Sequence, residues 1–235
     1  MAASNSADVV EHQAWLGHLF AEDRSGEDST CDLILTSEGK EFHVHKNVVM
    51  LVSKFFKKMF TIEMKEKYEG VVEVKQIPHQ RLSNIIEFIY SGRISITEEN
   101  VTEILDDAEY TQMEALKSKC RKYFLNVVSA DNCLKIQAYA QRYNLEEVQD
   151  KTNQVIKEHL EAIVKQEDFL QLDVDNLSAI LKQRSKVHEE AVFTGILDWV
   201  NHNPLQREDL FVTFFCQLDL TSMTSVFLAK IHREV

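Results

Sequence analysis

The chain has 235 residues, 44% hydrophobic and 27% charged, which is enough to form a buried core in one large domain or two of ordinary size. With only 6 glycines and 2 prolines, the composition disfavours an all-β fold and favours helices. The net charge of −12 and the lack of a long apolar run argue against nucleic-acid binding and membrane spanning. The four scattered cysteines predict reduced thiols in an intracellular protein.

The first predicted element is an amphipathic helix over residues 6–21, where apolar side chains recur at helical spacing. A polar, loop-like segment, AEDRSGEDST, follows it. The apolar face must be covered, either by folding back onto the same chain or by packing on a second copy. Its members are Val9, Trp15, Leu16, Leu19 and Phe20.

The next stretch, CDLILTSEGKEFHVHK (31–46), predicts a hairpin with its turn at Ser-Glu-Gly-Lys. Helical spacing over residues 47–62 is followed by a predicted strand in VVEVKQIP (71–78), a helix over 79–93, a very short strand in ISIT (94–97), and further helices. From about Ser129 the strands stop and every apolar segment has helical spacing. We therefore predict a mainly helical chain, with an α+β domain over 1–128 and an all-α domain over 129–235.

Motifs typical of catalysis or of nucleotide binding are missing from the sequence, so we predict a binding or scaffolding protein without enzyme activity or cofactor. His43 and His45 would place both rings on one face of a predicted strand, and Cys31 could come alongside them, but no carboxylate or third histidine is near in sequence. We therefore predict no metal site. Cys120 lies among basic residues that would lower the pKa of its thiol, although a structural role is the simpler interpretation.

Several segments resemble the BTB (POZ) and BACK domains of kelch-like proteins. The BTB-like residues are Cys31-Asp32, His45-Lys46, the run from Ser53 to Phe60 (SKFFKKMF), and FIYSG at 88–92. The BACK-like segments are NCLKIQAYAQRYNLEEV (132–148) and VHEEAVFTGILDWVNHN (187–203). The resemblance implies an α+β BTB/POZ domain over 1–128, which includes a dimerisation helix at 6–21, and an all-α BACK domain over 129–235.

Domains of this BTB type form homodimers, so the resemblance implies that the first helix packs on the partner chain. Asp32 and Lys46 fall on the family's paired charges near that interface. A surface salt bridge is the alternative interpretation of this pair.

Kelch-like proteins commonly act as substrate adaptors of cullin-3 ubiquitin ligases, and their cullin-binding pattern falls here on Met64-Lys65-Glu66. The implied contact set is Phe60, Met64, Glu66, Tyr68, Leu134 and Ile136. Met64 could instead pack locally, Tyr68 could cover the domain's own core, and Leu134 and Ile136 could be core residues of a helix. The other charges of the segment, including Glu69, are interpreted as a solvent-facing rim.

The resemblance thus implies a homodimeric, cytoplasmic adaptor, with the nucleus as a second compartment, that binds cullin-3. An unknown protein substrate would be held by a kelch domain, which this sequence does not contain. The alternative is a homotypic BTB scaffold, or a recruiter of transcription cofactors, with no ligase role.

Overall fold

The computed structural model describes residues 15–61, 70–184 and 188–234. The chain divides into two compact units, which we call unit 1 (Met1–Cys120) and unit 2 (Arg121–Val235). The division falls inside a helix, between Cys120 and Arg121. No described helix combines the length and apolar character that a membrane crossing requires.

Unit 1 combines a small sheet with helices. The strands are β1 (Leu33–Ser37), β2 (Lys40–Val44) and β3 (Val71–Glu73), in the order β2-β1-β3. The helices are α1 (residues 15–25), α2 (Lys46–Val52), α3 (Lys54–Thr61), α4 (His79–Ser91), α5 (Val101–Thr111) and α6 (Glu114–Val127), the last of which runs on into unit 2.

The predicted hairpin is present. β1 pairs antiparallel with β2, and its two-residue turn places both Glu38 and Gly39 at positive φ (50° and 75°), the backbone that a tight hairpin turn requires. β1 also pairs in parallel with β3. Leu33 and Leu35 alternate onto the buried face of the sheet, where they join the core of unit 1.

The prediction of a short strand in ISIT is wrong, because residues 93–97 are irregular in the structure. The side chain of Asn100 accepts a hydrogen bond from the N–H of Thr97 (2.8 Å) and donates one to the carbonyl of Ser95 (3.0 Å). These backbone groups are therefore satisfied locally rather than by a neighbouring strand.

Unit 2 is all helical over its described residues, as predicted for the second half of the chain. Its core centres on Trp199, which is fully buried and packs edge-to-face on Phe214 at 5.7 Å. The helices are α7 (Cys133–Arg142), α8 (Glu146–Ile163), α9 (Glu167–Leu170), α10 (Val174–Gln183), α11 (Glu189–His202), α12 (Pro204–Phe215) and α13 (Ser225–Glu234), with a 3₁₀ turn at Leu220–Ser222.

Candidate functional site

Helix α1 carries an exposed apolar face, which we call the α1 face and define as Trp15, Leu16, Leu19 and Phe20. These side chains are between 39% and 53% exposed in the single chain. The Phe20 and His45 rings also pack edge-to-face, with centroids 5.3 Å apart. Val9, the remaining predicted member, lies outside the described residues. Each of these large apolar side chains thus keeps about half of its surface in water. This is the face that the family resemblance implied a second copy would cover.

The close approach of α1 to α4 depends on Gly17. A Cβ atom at this position would lie 2.7 Å from the carbonyl oxygen of Tyr90, which is closer than real Cβ atoms come to other atoms. Arg24, in the last turn of α1, lies over the Tyr90 ring at 4.9 Å and pairs with Glu87 at 3.6 Å. The orientation of the α1 face is therefore fixed by contacts with α4 on the opposite side.

A polar cluster around His45 also holds α1 in place. His45 Nε2 lies 2.8 Å from Asp23 Oδ2, and His45 Nδ1 lies 3.0 Å from the hydroxyl of Tyr90. The N–H of Thr30 and the ring of His45 hold the pKa of the Asp23 carboxyl below its ordinary value of 3.8. The Cys31 Sγ atom lies 4.0 Å from each ring nitrogen of His45. Side chains from α1, from the loop before β1 and from α4 thus meet at one imidazole.

The predicted charge pair of Asp32 and Lys46 is arranged through the backbone. Asp32 Oδ1 accepts a hydrogen bond of 2.7 Å from the N–H of Lys46, at the start of α2. The ammonium of Lys46 lies 4.7 Å from the centre of the Phe60 ring. Asp32 is exposed in the single chain. Because its carboxylate accepts a bond from the first N–H of α2, it stabilises the N-terminus of that helix at the surface. The role of the pair in a dimer stays a prediction.

The predicted cullin-binding segment connects α3 to β3. Met64, Glu66 and Tyr68 lie outside the described residues. The chain on either side is anchored, since Phe60 is only 4% exposed and Val72 only 2%. Phe60 is therefore mainly a core residue of unit 1, with little surface of its own to offer to a partner.

Unit 2 contains an open groove between α7 and the segment from α9 to α10, with a volume of about 310 Å³. Leu134 lines it, together with Lys135, Ala138, Asp168, Gln171, Leu172, Asp173 and Asn176. Leu134 and Ile136 are 6% and 4% exposed, so both belong mainly to the interior of unit 2. Leu134 reaches the surface of unit 2 at this groove.

The structure contradicts the reactive environment that the sequence suggested for Cys120. Its thiol is fully buried, and burial raises its pKa to about 12 despite the basic residues nearby in sequence. The sequence placed basic residues beside Cys120 along the chain, but the helix directs the thiol into the core. His43 and His45 also separate, because His43 is exposed on β2 whereas His45 is buried just beyond the strand.

Sequence reasoning missed Gly17, Asp23 and Tyr90 as determinants of how α1 is held. Asp23 lies 22 residues from its partner His45, and Tyr90 lies 45 residues from it. Periodic patterns relate residues within short windows of the chain, so no pattern in a single sequence could have paired residues this far apart.

Two family models match the chain. One is the BTB/POZ domain, over residues 21–127, and the other is described as BTB And C-terminal Kelch, over residues 133–233. Kelch-like protein 7 of Mus musculus is 30% identical over 202 residues, which are 85% of this chain and 34% of that protein. Kelch-like protein 3 of Mus musculus is 29% identical over 181 residues, which are 76% of this chain and 31% of that protein. The chain spans about a third of the length of these relatives.

Among solved structures, the BTB domain of zebrafish PATZ1 is 23% identical with a TM-score of 0.43, over 48% of this chain and 92% of that chain. The BTB domain of human gigaxonin is 22% identical with a TM-score of 0.42, over 48% and 91%. The two family models together match most of the chain, and the kelch-like relatives align across both. The chain is therefore a BTB–BACK protein, corresponding to the BTB–BACK region of the kelch-like family.

Proposed function

We propose that this chain is the dimerising and cullin-binding part of a substrate adaptor for a cullin-3 ubiquitin ligase. The observation that carries the proposal is the pairing of a BTB domain with a BACK domain, both matched to kelch-like relatives. BTB proteins that recruit transcription cofactors usually carry zinc fingers instead, so the BACK domain favours the adaptor over that alternative. The substrate would be bound by a further domain, and the complex would act in the cytoplasm, with the nucleus as a second compartment.

Homodimerisation through the α1 face is supported by its exposed apolar area. Fully burying a large apolar side chain contributes about 1.5–3 kcal/mol, and each of these four is roughly half buried already, so the rest is worth about 1 kcal/mol each. Two faces would together contribute about 8 kcal/mol, which is comparable with the roughly 4–15 kcal/mol that association costs. A charged residue at the centre of the face would reverse this balance.

Light scattering after size-exclusion chromatography tests the dimer. The wild-type chain should elute at twice its mass of 27.2 kDa, and the double variant Leu16→Asp plus Leu19→Asp should elute as a monomer. Leu205→Asp is the matched control, because this leucine is 99% exposed in unit 2 and its replacement buries no charge. A wild-type monomer at tens of micromolar would refute the dimer.

Cullin binding is assigned to Met64 and Glu66, with the groove beside Leu134 as a second contact region. A flexible methionine side chain suits an irregular apolar pocket on a helical partner. Truncating a central contact residue typically costs 2 kcal/mol or more, which corresponds to roughly a thirty-fold loss of affinity.

Isothermal titration of the chain with the N-terminal domain of cullin-3 tests this assignment. We expect micromolar or tighter binding by the wild type and at least a ten-fold loss for Met64→Ala plus Glu66→Ala. Glu69→Ala is the control, since it removes the same charge from the predicted solvent-facing rim. If the wild type does not bind, the adaptor role is wrong and the homotypic scaffold becomes the better hypothesis. If the double variant binds as tightly as wild type, the adaptor role stands and the residue assignment fails.

A further inference from the structure

The cluster around His45 contains the three types of side chain that bind zinc. Asp23, Cys31 and His45 each offer one ligand atom, and these atoms lie within 4.8 Å of one another. Among the described residues, this is the one group of three or more histidine, cysteine or acidic side chains so placed. Asp23 comes from α1, Cys31 from the loop before β1, and His45 from the residue preceding α2.

The spacing of the ligand atoms can be compared with that of a tetrahedral zinc site. With Zn–S near 2.3 Å and Zn–N or Zn–O near 2.0–2.1 Å, the ligand atoms of such a site lie about 3.3–3.6 Å apart. Here Nε2 of His45 lies 2.8 Å from Oδ2 of Asp23 and 4.0 Å from Sγ of Cys31. The distance between Nε2 and Oδ2 of Asp23 must lengthen by about half an ångström. Sγ of Cys31 lies equally far from Nδ1 and Nε2, so the Cys31 side chain must rotate to bring its sulfur to an ion bound at Nε2. Asp23 and Cys31 are only partly buried, so their side chains can make these adjustments.

The imidazole of His45 has the support that a metal-binding histidine needs. The hydroxyl of Tyr90 accepts a hydrogen bond from the backbone N–H of His45 at 2.9 Å and lies 3.0 Å from Nδ1 of the ring. When Nε2 binds a metal, the ring proton moves to Nδ1 and is donated to the same hydroxyl, whose second lone pair can accept it. The Tyr90 hydroxyl thus fixes the ring orientation from the Nδ1 side, and Nε2 is directed toward Asp23.

The carboxylate of Asp23 is supported in the same way. Its Oδ2 atom accepts hydrogen bonds from the N–H of Thr30 (2.9 Å) and from the Thr30 hydroxyl (3.1 Å). These two donors hold the carboxylate in position when the metal takes the place of the ring Nε2–H of His45 as its partner. The Asp23 side chain is 30% exposed, which gives an ion a path from solvent.

We propose that Asp23, Cys31 and His45 bind one zinc ion, with water as the fourth ligand, and that this ion fastens α1 to the rest of unit 1. Binding releases the thiol proton of Cys31, so one thiolate and one carboxylate balance the two positive charges of the ion. The site does not depend on the proposed adaptor function.

Cobalt titration of the metal-free 235-residue chain tests the site, because Co²⁺ replaces Zn²⁺ and reports its ligands by absorption. We expect one Co²⁺ per chain, a thiolate-to-cobalt charge-transfer band, and the strong visible bands of a tetrahedral ion, all removed by stoichiometric Zn²⁺. Cys31→Ser should lose the charge-transfer band, and Asp23→Asn should weaken cobalt binding at least ten-fold. Tyr90→Phe should weaken it by roughly 10–100-fold, as is usual for the partner of a ligating histidine.

Cys216→Ser is the matched control, because Cys216 is an exposed thiol in unit 2, and it should keep the full spectrum. Circular dichroism of each variant identifies any that fail to fold, and Cys31→Ser and Asp23→Asn change only partly buried side chains. A missing charge-transfer band in the folded wild type would overturn the proposal. So would a band that survives in folded Cys31→Ser, or an unchanged affinity in folded Asp23→Asn.

Discussion

Replacing Glu189 by glutamine should destabilise unit 2, because this carboxylate is the buried partner of Arg184. The two side chains are 1% and 9% exposed. Glu189 Oε1 accepts a hydrogen bond of 2.9 Å from Arg184 Nε, and Oε2 accepts bonds from Arg184 Nη2 (3.2 Å) and from the N–H of Asp219 (2.9 Å). The pair therefore joins the end of α10 to the start of α11 and to the chain after α12.

Glutamine keeps the volume of the side chain but removes its charge and turns one acceptor into a donor. Breaking a buried ion pair from one side typically costs about 3–5 kcal/mol. Arg184 keeps two further acceptors, the carbonyls of Leu181 and Gln217, so part of its charge stays solvated by the protein. We therefore expect a loss of about 2–4 kcal/mol in the free energy of unfolding.

Urea unfolding followed by tryptophan fluorescence measures this loss. The chain has two tryptophans, and replacing Trp15 by phenylalanine leaves buried Trp199 as a reporter of unit 2 alone. With a slope of about 1.5 kcal/mol per molar urea, the midpoint should fall by roughly 1.3–2.7 M. Glu161→Gln is the matched control, since Glu161 pairs with Lys165 at 3.8 Å on the surface, and it should change stability by less than about 0.5 kcal/mol.

A loss below about 1 kcal/mol for Glu189→Gln would contradict the expected importance of this pair. A double-mutant cycle with Arg184→Met then separates the pair from its surroundings. Coupling near zero would mean that Glu189 acts mainly as an acceptor for the backbone of Asp219.

Three further predictions concern single positions. Burial raises the pKa of the Cys120 thiol from an ordinary 9.0 to about 12, so between these pH values only the unfolded chain loses the proton, and stability should fall as pH rises. Mass spectrometry should correspondingly show that iodoacetamide labels the exposed Cys216 at pH 8 while Cys120 of the folded chain stays unmodified. Equal labelling rates for the two thiols would contradict this. Gly17→Ala should increase amide hydrogen exchange across α1, because the new Cβ meets a carbonyl oxygen of α4 at 2.7 Å, whereas the control Gly26→Ala, whose Cβ has 3.4 Å of clearance, should not. Asp173→Ala should cost unit 2 about 1 kcal/mol in urea unfolding, because the carboxylate caps the first turn of α10; an unchanged midpoint would show that the cap contributes nothing.

The elements that the sequence predicted correctly are those whose signals are local. The hairpin from Leu33 to Val44 follows from alternating apolar residues and a two-residue turn, and the helices of unit 2 follow from apolar spacing. The strand predicted in ISIT failed because Asn100, beyond the segment, provides its backbone with other hydrogen-bond partners. The lowered pKa suggested for the Cys120 thiol was wrong, because residues adjacent in sequence on a helix point in different directions.

The candidate sites divide in the same way. The apolar face of the first helix was visible from residues at helical spacing, and the structure leaves Trp15, Leu16, Leu19 and Phe20 exposed. The cullin-binding assignment of Met64 and Glu66 came from a linear motif, and it stays a prediction.

The sequence by itself predicted the hairpin, the all-helical second half and the resemblance to BTB and BACK domains, because hydrophobic periodicity, turn residues and family motifs are read within short windows of the chain. Only the tertiary structure decided that Asp23, Cys31, His45 and Tyr90 meet, and that Gly17 allows α1 to lie against α4. His45 lies 14, 22 and 45 residues from Cys31, Asp23 and Tyr90. These contacts form because burying the core of unit 1 brings α1, β1, α2 and α4 together. The positions of Asp23, Cys31 and His45 and of the α1 face are therefore consequences of packing.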